Sequence, residues 1–475
     1  MKVVHLMGIG GSGMASLAGM FVEKGWIVRG SDEKVYPPAS TELARLKVEI
    51  FKGYKSENLY LNPDLVIVGN VVSRGNPEVE ALLTSKIPYT SMAQALADYF
   101  IKGSTSIVIT GTHGKTTTTS LLAWILEQSE PSPGLFVGGI PLNFEKGYQI
   151  GSGKFFVTEG DEYDTAFFEK TPKFIHYLPH HAILTSIEFD HADIYKDLDH
   201  VRTQFDRFVR LLPKEGALIA CGDSDLVRKV CSETSTGRVE YYGKKPENEW
   251  RVKNIHDTQK GKSFELMFHG KRLAIVNSPL LGDHNVLNVA ACLAIAKNLG
   301  LGMDKAVQSV ETFLGVKRRQ EFLGEGHGVA LYDDFAHHPT AISETLSAFT
   351  PLTKERKGRL WAVFEPRSNT IRRRIFQETL PLSFILADEV IIAPVYRKKD
   401  QLSEQEILAP NDVALQIREK GKNARAPQEL EEIVQILLNE TRSGDVVVFM
   451  SNGNFEGIPL RVKNELSKLP QLPSH

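Results

Sequence analysis

An apolar, β-branched run from Ser106 to Thr110 empties into Gly111-Thr112-His113-Gly114-Lys115-Thr116-Thr117, and a helix-forming stretch occupies Lys115 to Gln128. A strand, a glycine turn and a helix start in that order commit the chain to a parallel α/β sheet, because the helix must carry it back across the sheet before the next strand. Sandwiches and helical bundles do not fit. The same alternation runs nearly throughout, and at roughly 100 to 200 residues per domain the 475 residues hold about three. The expected blocks are 1–103, 104–317 and 318–475. The first holds the strand Lys2 to Met7, a second ending near Gly30 and a third at Asp64 to Val68, and closes at the charged turn Lys102-Gly103. The second includes a helix from Asn285 to Leu299, stopped by Gly300 and Gly302. The third opens around Arg318 to Phe322 and carries strands at Ala330 to Asp333, Arg359 to Phe364, Glu389 to Ile392 and Asp445 to Met450. The tail Leu469 to Pro473 reads as a loose terminus.

Lysine plus arginine (56) nearly balances aspartate plus glutamate (58), a net charge of −2, so neither nucleic acid nor a membrane surface is expected as a partner. Three irregularly spaced cysteines, Cys221, Cys231 and Cys292, suit reduced packing thiols in a cytoplasmic protein rather than a disulfide framework. The stretch Val3 to Val22 carries no formal charge and has the length of a membrane span. Gly8, Gly10, Gly11, Gly13 and Gly19 make it a poor apolar helix and a good strand, turn and helix start.

Gly8-Ile9-Gly10-Gly11-Ser12-Gly13 fits the dinucleotide fingerprint, in which glycines admit a tight turn and helix amides face a diphosphate. Asp32, after the second strand, is placed to accept a ribose hydroxyl. NAD, a UDP-sugar and a turn without a ligand all remain open at this point. In the loop from Gly111, inward amides cradle phosphate oxygens, Lys115 neutralises them and Thr116 can ligate magnesium. Ile109 stands where the longer phosphate-loop motif has its first glycine. Glu159-Gly160-Asp161-Glu162-Tyr163-Asp164 follows the strand Phe155 to Val157, and Glu188-Phe189-Asp190-His191-Ala192-Asp193 follows Ala182 to Thr185. Both put hard oxygen ligands at the edge where parallel sheets bind ligands, which suits magnesium, or else they are solvated acidic loops. Gly282-Asp283-His284-Asn285-Val286-Leu287-Asn288 starts a helix, with Asp283 or Asn285 as the expected N-cap. His337-His338 raises zinc, but no cysteine or third histidine stands at ligand spacing. Phe364-Glu365-Pro366-Arg367-Ser368-Asn369-Thr370 offers a planar cation for a carboxylate.

With these motifs in this order the chain resembles the Mur ligase family along essentially its whole length. The resemblance rests on the glycine-rich start, the shortened GTHGKTT loop, GNVVSRGNPEVEAL from Gly69, EGDEYDTAFF, EFDHADIY, the Arg318-Arg319 pair and FEPRSNT. It implies an α/β fold of three domains: Rossmann-like at the N-terminus, a central P-loop-type ATP-binding domain with a parallel sheet, and Rossmann-like at the C-terminus. It also implies an ATP- and Mg2+-dependent ligase, monomeric or weakly self-associating, that joins a murein tripeptide (L-Ala-γ-D-Glu-meso-diaminopimelate) to UDP-N-acetylmuramate in the cytoplasm. Within the family, the alanine-adding branch is the alternative; it usually has a histidine-arginine pair where this chain has Arg367-Ser368. An NAD-linked oxidoreductase is the more distant alternative, and a UDP-sugar sensor without ligation a third. The implied UDP-sugar contacts are Gly8, Gly10, Gly11, Ser12, Gly13, Ser31, Asp32, Asn70 and Ser73. Gly111, Thr112, Gly114, Lys115, Thr116, Thr117, His284, Asn285, Asn288, Arg319 and Asp334 would contact ATP. Thr116, Glu159 and His191 would hold metal, and Lys115, Glu159, His191, Arg319 and Asp334 would carry the catalysis. His337, His338, Arg367, Ser368 and Asn369 would face the peptide. Phe205 and Asp206 occupy the region where several branches carry a carbamylated lysine.

Overall fold

The computed structural model describes residues 1–235, 237–397, 402–403 and 405–469. The terminal stretch from Pro470 to Pro473 lies outside them. Three sheets appear along the chain, and central strands such as Leu65–Val68, Leu360–Phe364 and Val446–Met450 are continuous apolar runs buried throughout, as strands covered on both faces must be.

The first sheet orders Glu49–Lys52, Ile27–Asp32, Val3–Met7, Leu65–Val68 and Tyr89–Ser91, all parallel. The order reverses at Val3–Met7, so a crevice opens beyond the carboxyl ends of Val3–Met7 and Leu65–Val68, where the turns after Met7 and Val68 diverge. Beneath that turn His5 Nε2 meets Glu78 Oε1 at 2.5 Å, and Asn58 Nδ2 donates to Glu78 Oε2 at 3.1 Å. His5 and Glu78 are almost wholly buried, so each needs the other: removing one partner of such a pair costs about 3 to 5 kcal/mol.

In the second sheet the phosphate-loop strand Thr105–Thr110 sits between Phe155–Gly160 and His181–Leu184. Both acidic segments therefore emerge beside the loop. The helix Lys115–Ser129 packs on the helix Asp283–Asn298, whose Val286, Val289, Ala290, Leu293 and Ala294 are fully buried. Small residues on several faces let it pass through the core, as a helix apolar all round must. The parallel order seen in the sequence runs outward as far as Trp250–Thr258. Beyond it Gly261–Phe268 and Lys271–Ser278 turn antiparallel, as does Tyr148–Gln149 at the opposite edge. The alternation of eight-residue runs with short glycine turns at Gly261 and Gly270 carries the hairpin signal.

The third sheet orders Glu321–Gly326, Val329–Asp334, Val446–Met450, Leu360–Phe364, Glu389–Ile392 and Asn423–Arg425, parallel except at its first pair. The three cysteines are buried and free. Among the described residues no helix is long and apolar enough to cross a membrane.

Candidate active site

The loop after Thr105–Thr110 is shaped by two positive-φ glycines, Gly111 at +129° and Gly114 at +82°. A Cβ at Gly111 would stand 2.2 Å from Thr185 Oγ1, and one at Gly114 would stand 2.8 Å from Asn288 Oδ1. The loop is braced from outside: Thr112 N donates to Ser186 O at 2.9 Å, His113 N to Ser186 Oγ at 3.0 Å, and Thr185 Oγ1 to His113 O at 2.6 Å. Lys115 Nζ folds back to Gly111 O at 2.6 Å and Glu162 Oε2 at 2.8 Å. Burial pulls the ammonium down, but Glu162, Asp161 and Glu159 outweigh it, so Lys115 is held above its ordinary value and stays charged.

Thr116 Oγ1 donates to Glu159 Oε2 at 2.9 Å, and Gly138 N to Glu159 Oε1 at 2.7 Å. Burial and the nearby Asp161 push the Glu159 carboxyl up. His191 Nε2 lies 3.2 Å from Glu162 Oε1, and Asp161, Glu162 and His191 converge within 4.8 Å. Burial lowers the His191 imidazole, but Glu162, Asp190 and Asp161 raise it on balance to about 9. The predicted metal residues are thus split: Thr116 and Glu159 touch directly, while His191 stands with Glu162 and Asp161. Glu162, which links Lys115 to His191, was not singled out from the sequence; its only signal was its place inside EGDEYD.

A cleft of about 200 Å3 runs from the first sheet to this cluster, lined at one end by Gly11, Ser12, Gly13 and Asn70 and at the other by Glu159 and Asp161. Lys173 and Tyr177 on its wall carry no motif and were not anticipated. Gly8, Gly10, Ser31, Asp32 and Ser73 do not line it. Ser31 is fully buried with its hydroxyl 3.4 Å from His5 Nε2, while its carbonyl accepts from Gly8 N at 2.8 Å and so shapes the turn from below. Asp32 Oδ2 accepts Gly10 N at 2.8 Å, which ties the end of the second strand to the glycine turn.

Asp283 and Asn285 lie inside the helix rather than at its N-cap, which is Gly282 at φ +86°. A positive φ strains any residue with a side chain, so the cap falls to glycine. Asn285 instead donates to Leu281 O at 2.8 Å and accepts from Asn288 Nδ2 at 3.0 Å, which holds Asn288 against Gly114. His284 lies 3.4 Å from Glu344 and 3.5 Å from Gln320 Nε2. Thr117 is buried in the first turn of the phosphate-loop helix.

From the third block Arg319 Nη2 reaches Thr116 Oγ1 at 3.3 Å while its guanidinium stacks on Phe335 at 4.4 Å. Asp334 is filled by its own block: Gln320 N and Ala336 N each donate to it at 2.8 Å, and Thr345 Oγ1 at 3.2 Å. His337 Nε2 stands 3.8 Å from Asp190, and His338 Nε2 is 3.2 Å from Phe189 O. Arg367 packs over Tyr396 at 3.7 Å and meets Glu365 at 3.2 Å. Ser368 Oγ accepts Ile371 N at 3.2 Å, and Asn369 Nδ2 donates to Asp193 Oδ2 at 2.9 Å across to the second block. Phe205 is fully buried on the helix Leu198–Val209.

Comparison with known proteins gives the same order of parts. Residues 3–102 match the Mur ligase family catalytic domain, 109–296 the Mur ligase middle domain and 318–453 the Mur ligase glutamate ligase domain. The chain is 37% identical over 469 residues to the UDP-N-acetylmuramate-L-alanyl-gamma-D-glutamyl-meso-2,6-diaminoheptandioate ligase of Escherichia coli, covering 98% of each. It is 32% identical over 456 residues to the UDP-N-acetylmuramate-L-alanine ligase of Clostridium tetani, covering 95% of this chain and 96% of that one. A crystal structure of a murein peptide ligase from Psychrobacter arcticus superposes with a TM-score of 0.73 at 33% identity, over 99% of this chain and 100% of the other. With three matching regions in sequence and a full-length relative above one third identity, the chain belongs to the Mur ligase family.

Proposed function

We propose that this chain is an ATP-dependent ligase that forms an amide between the lactyl carboxylate of UDP-N-acetylmuramate and the L-alanine amine of the tripeptide L-Ala-γ-D-Glu-meso-diaminopimelate. The observation that carries this reading is the single cleft joining the glycine turn at Gly11 to Glu159 beside the phosphate loop. A sugar diphosphate seated on the turn amides would extend its acid toward a γ-phosphate held at Lys115. We assign 1–103 to the UDP-sugar, 104–317 to ATP and 318–475 to the acceptor. One chain carries all three surfaces, so a monomer suffices, and both nucleotides belong to the cytoplasm.

A carboxylate resists amines because the attack would have to expel oxide. Activation answers this: the carboxylate oxygen attacks the γ-phosphorus, ADP leaves, and an acyl phosphate forms. Two anions must meet, and the charge of Lys115 screens them. The amine nitrogen then attacks the acyl carbon and expels orthophosphate, and the proton lost from nitrogen is taken up by the departing phosphate. Mg2+ fits the residues present, since Thr116 and Glu159 pair hard oxygens and Glu159 is raised by burial and Asp161, a strain that a cation relieves. Thr116 and Glu159 would hold it, while His191 stands apart with Glu162 and Asp161, and when bound it supplies neutralisation of phosphate charge. Arg319, desolvated against Phe335, would order the phosphates and exclude water from the acyl phosphate.

The test measures ADP release with ATP, Mg2+ and UDP-N-acetylmuramate while the acceptor is varied. Turnover with the tripeptide and little with free L-alanine is expected; the reverse would give the alanine-adding activity named for the Clostridium tetani relative. In parallel, oxygen-18 placed in the sugar carboxylate should appear in orthophosphate, and its absence would remove the acyl phosphate.

A further inference from the structure

His113, at the tip of the phosphate loop, points away from the nucleotide cradle and toward the third block. Its backbone is pinned on both sides by Ser186 and Thr185. Its ring centroid lies 4.8 Å from that of His338, and its buried Nε2 has no hydrogen-bond partner. That nitrogen stands 3.4 Å from Glu188 Oε2, and His338 Nδ1 stands 3.6 Å from the same oxygen. A tetrahedral ion with bonds of about 2.0 to 2.1 Å separates its ligand atoms by about 3.3 to 3.4 Å, close to both distances.

The protonation states suit the same purpose. His338 Nε2 lies 3.2 Å from the Phe189 carbonyl, which can only accept, so Nε2 carries the proton and Nδ1 keeps its lone pair. That lone pair receives only the long 3.3 Å contact from Thr340 N. The Thr340 hydroxyl donates to Glu188 Oε2 at 2.6 Å. An outer carbonyl on one imidazole and an outer hydroxyl on the carboxylate are the supports that orient metal ligands.

We propose that His113, Glu188 and His338 form a second cation site, separate from the magnesium ligands, for a divalent transition ion of the zinc type. Two imidazoles and one carboxylate favour such an ion over magnesium, which prefers oxygen. Two ligands come from the second block and one from the third, so the bound ion pins the acceptor side against the phosphate loop.

The test uses full-length protein, stripped by chelation and without nucleotide, titrated with Zn2+ by calorimetry and with Co2+ by visible absorption. The wild type should bind one equivalent with the intense bands of tetrahedral Co2+. His113→Asn and His338→Asn should each weaken that equivalent at least tenfold and erase the bands; asparagine keeps helix capping at 338. His191→Asn should retain it. Glu188→Gln, which preserves the Thr340 contact, gives the same loss by an independent substitution, and circular dichroism confirms that each variant is folded. Absence of binding in the wild type, wild-type affinity in either histidine variant at 113 or 338, or loss of the site in His191→Asn would overturn the proposal.

Discussion

Lys115 is a cation held among three carboxylates, and its worth can be stated in two separate measurements. Lys115→Ala should lower the rate of ADP release by about a thousandfold with every acceptor, the scale of losing a charged stabiliser at a transferring phosphoryl group. Glu162→Ala leaves the buried lysine without its contacting carboxylate, and urea unfolding should show a loss of about 3 kcal/mol. A third residue reads pH instead. His181 Nδ1 accepts Ala217 N at 3.0 Å, and burial followed by His180 depresses its ring from 6.5 to about 4. A folded value below the unfolded one means that the unfolded chain binds the extra proton, so the stability from this group is intact above about pH 6.5 and drains away toward pH 4. The urea midpoint of His181→Asn, compared with the wild type across that window, should fall less steeply.

At the level of elements, the contact between the first and second blocks is a helix face shaved down to glycine. A Cβ at Gly19 on the helix Ser12–Glu23 would stand 2.2 Å from the Tyr148 hydroxyl, which donates to Glu42 at 2.7 Å. Gly19→Val should overpack this seam by about 1 to 3 kcal/mol and raise the KM for the UDP-sugar while that for ATP stays near wild type. The strands flanking each loop could be read from apolar runs and glycine punctuation, because buried parallel strands have no other composition open to them. The phosphate loop was readable for the same reason, since Gly111 and Gly114 meet backbone and side chains that leave no room for a Cβ. What stayed hidden depends on partners distant in the chain: Glu162 gains its role only by facing Lys115, and His113 meets His338 across 225 positions. Asp32 is assigned to the ligand from its place after a strand and Ser31 from the family resemblance; in the structure the hydrogen bonds of both also brace the turn beneath the site.

For the whole molecule, the third block lies clasped to the second by polar contacts that include Arg319 to Thr116, Asn369 to Asp193, Thr340 to Glu188, and Ala192 N to Thr370 Oγ1 at 3.2 Å. Polar joints of this kind yield to domain motion. Asn369→Ala should enlarge the radius of gyration in small-angle scattering and lower kcat several-fold, as expected when closure gates chemistry. The Thr116 hydroxyl is the hub of this clasp. It gives its proton to Glu159 and takes one from Arg319, so a single oxygen ties the second block to the third. Whatever lands on that oxygen, a phosphate or a cation, would bear on both blocks at once, as a rivet passes load between two plates.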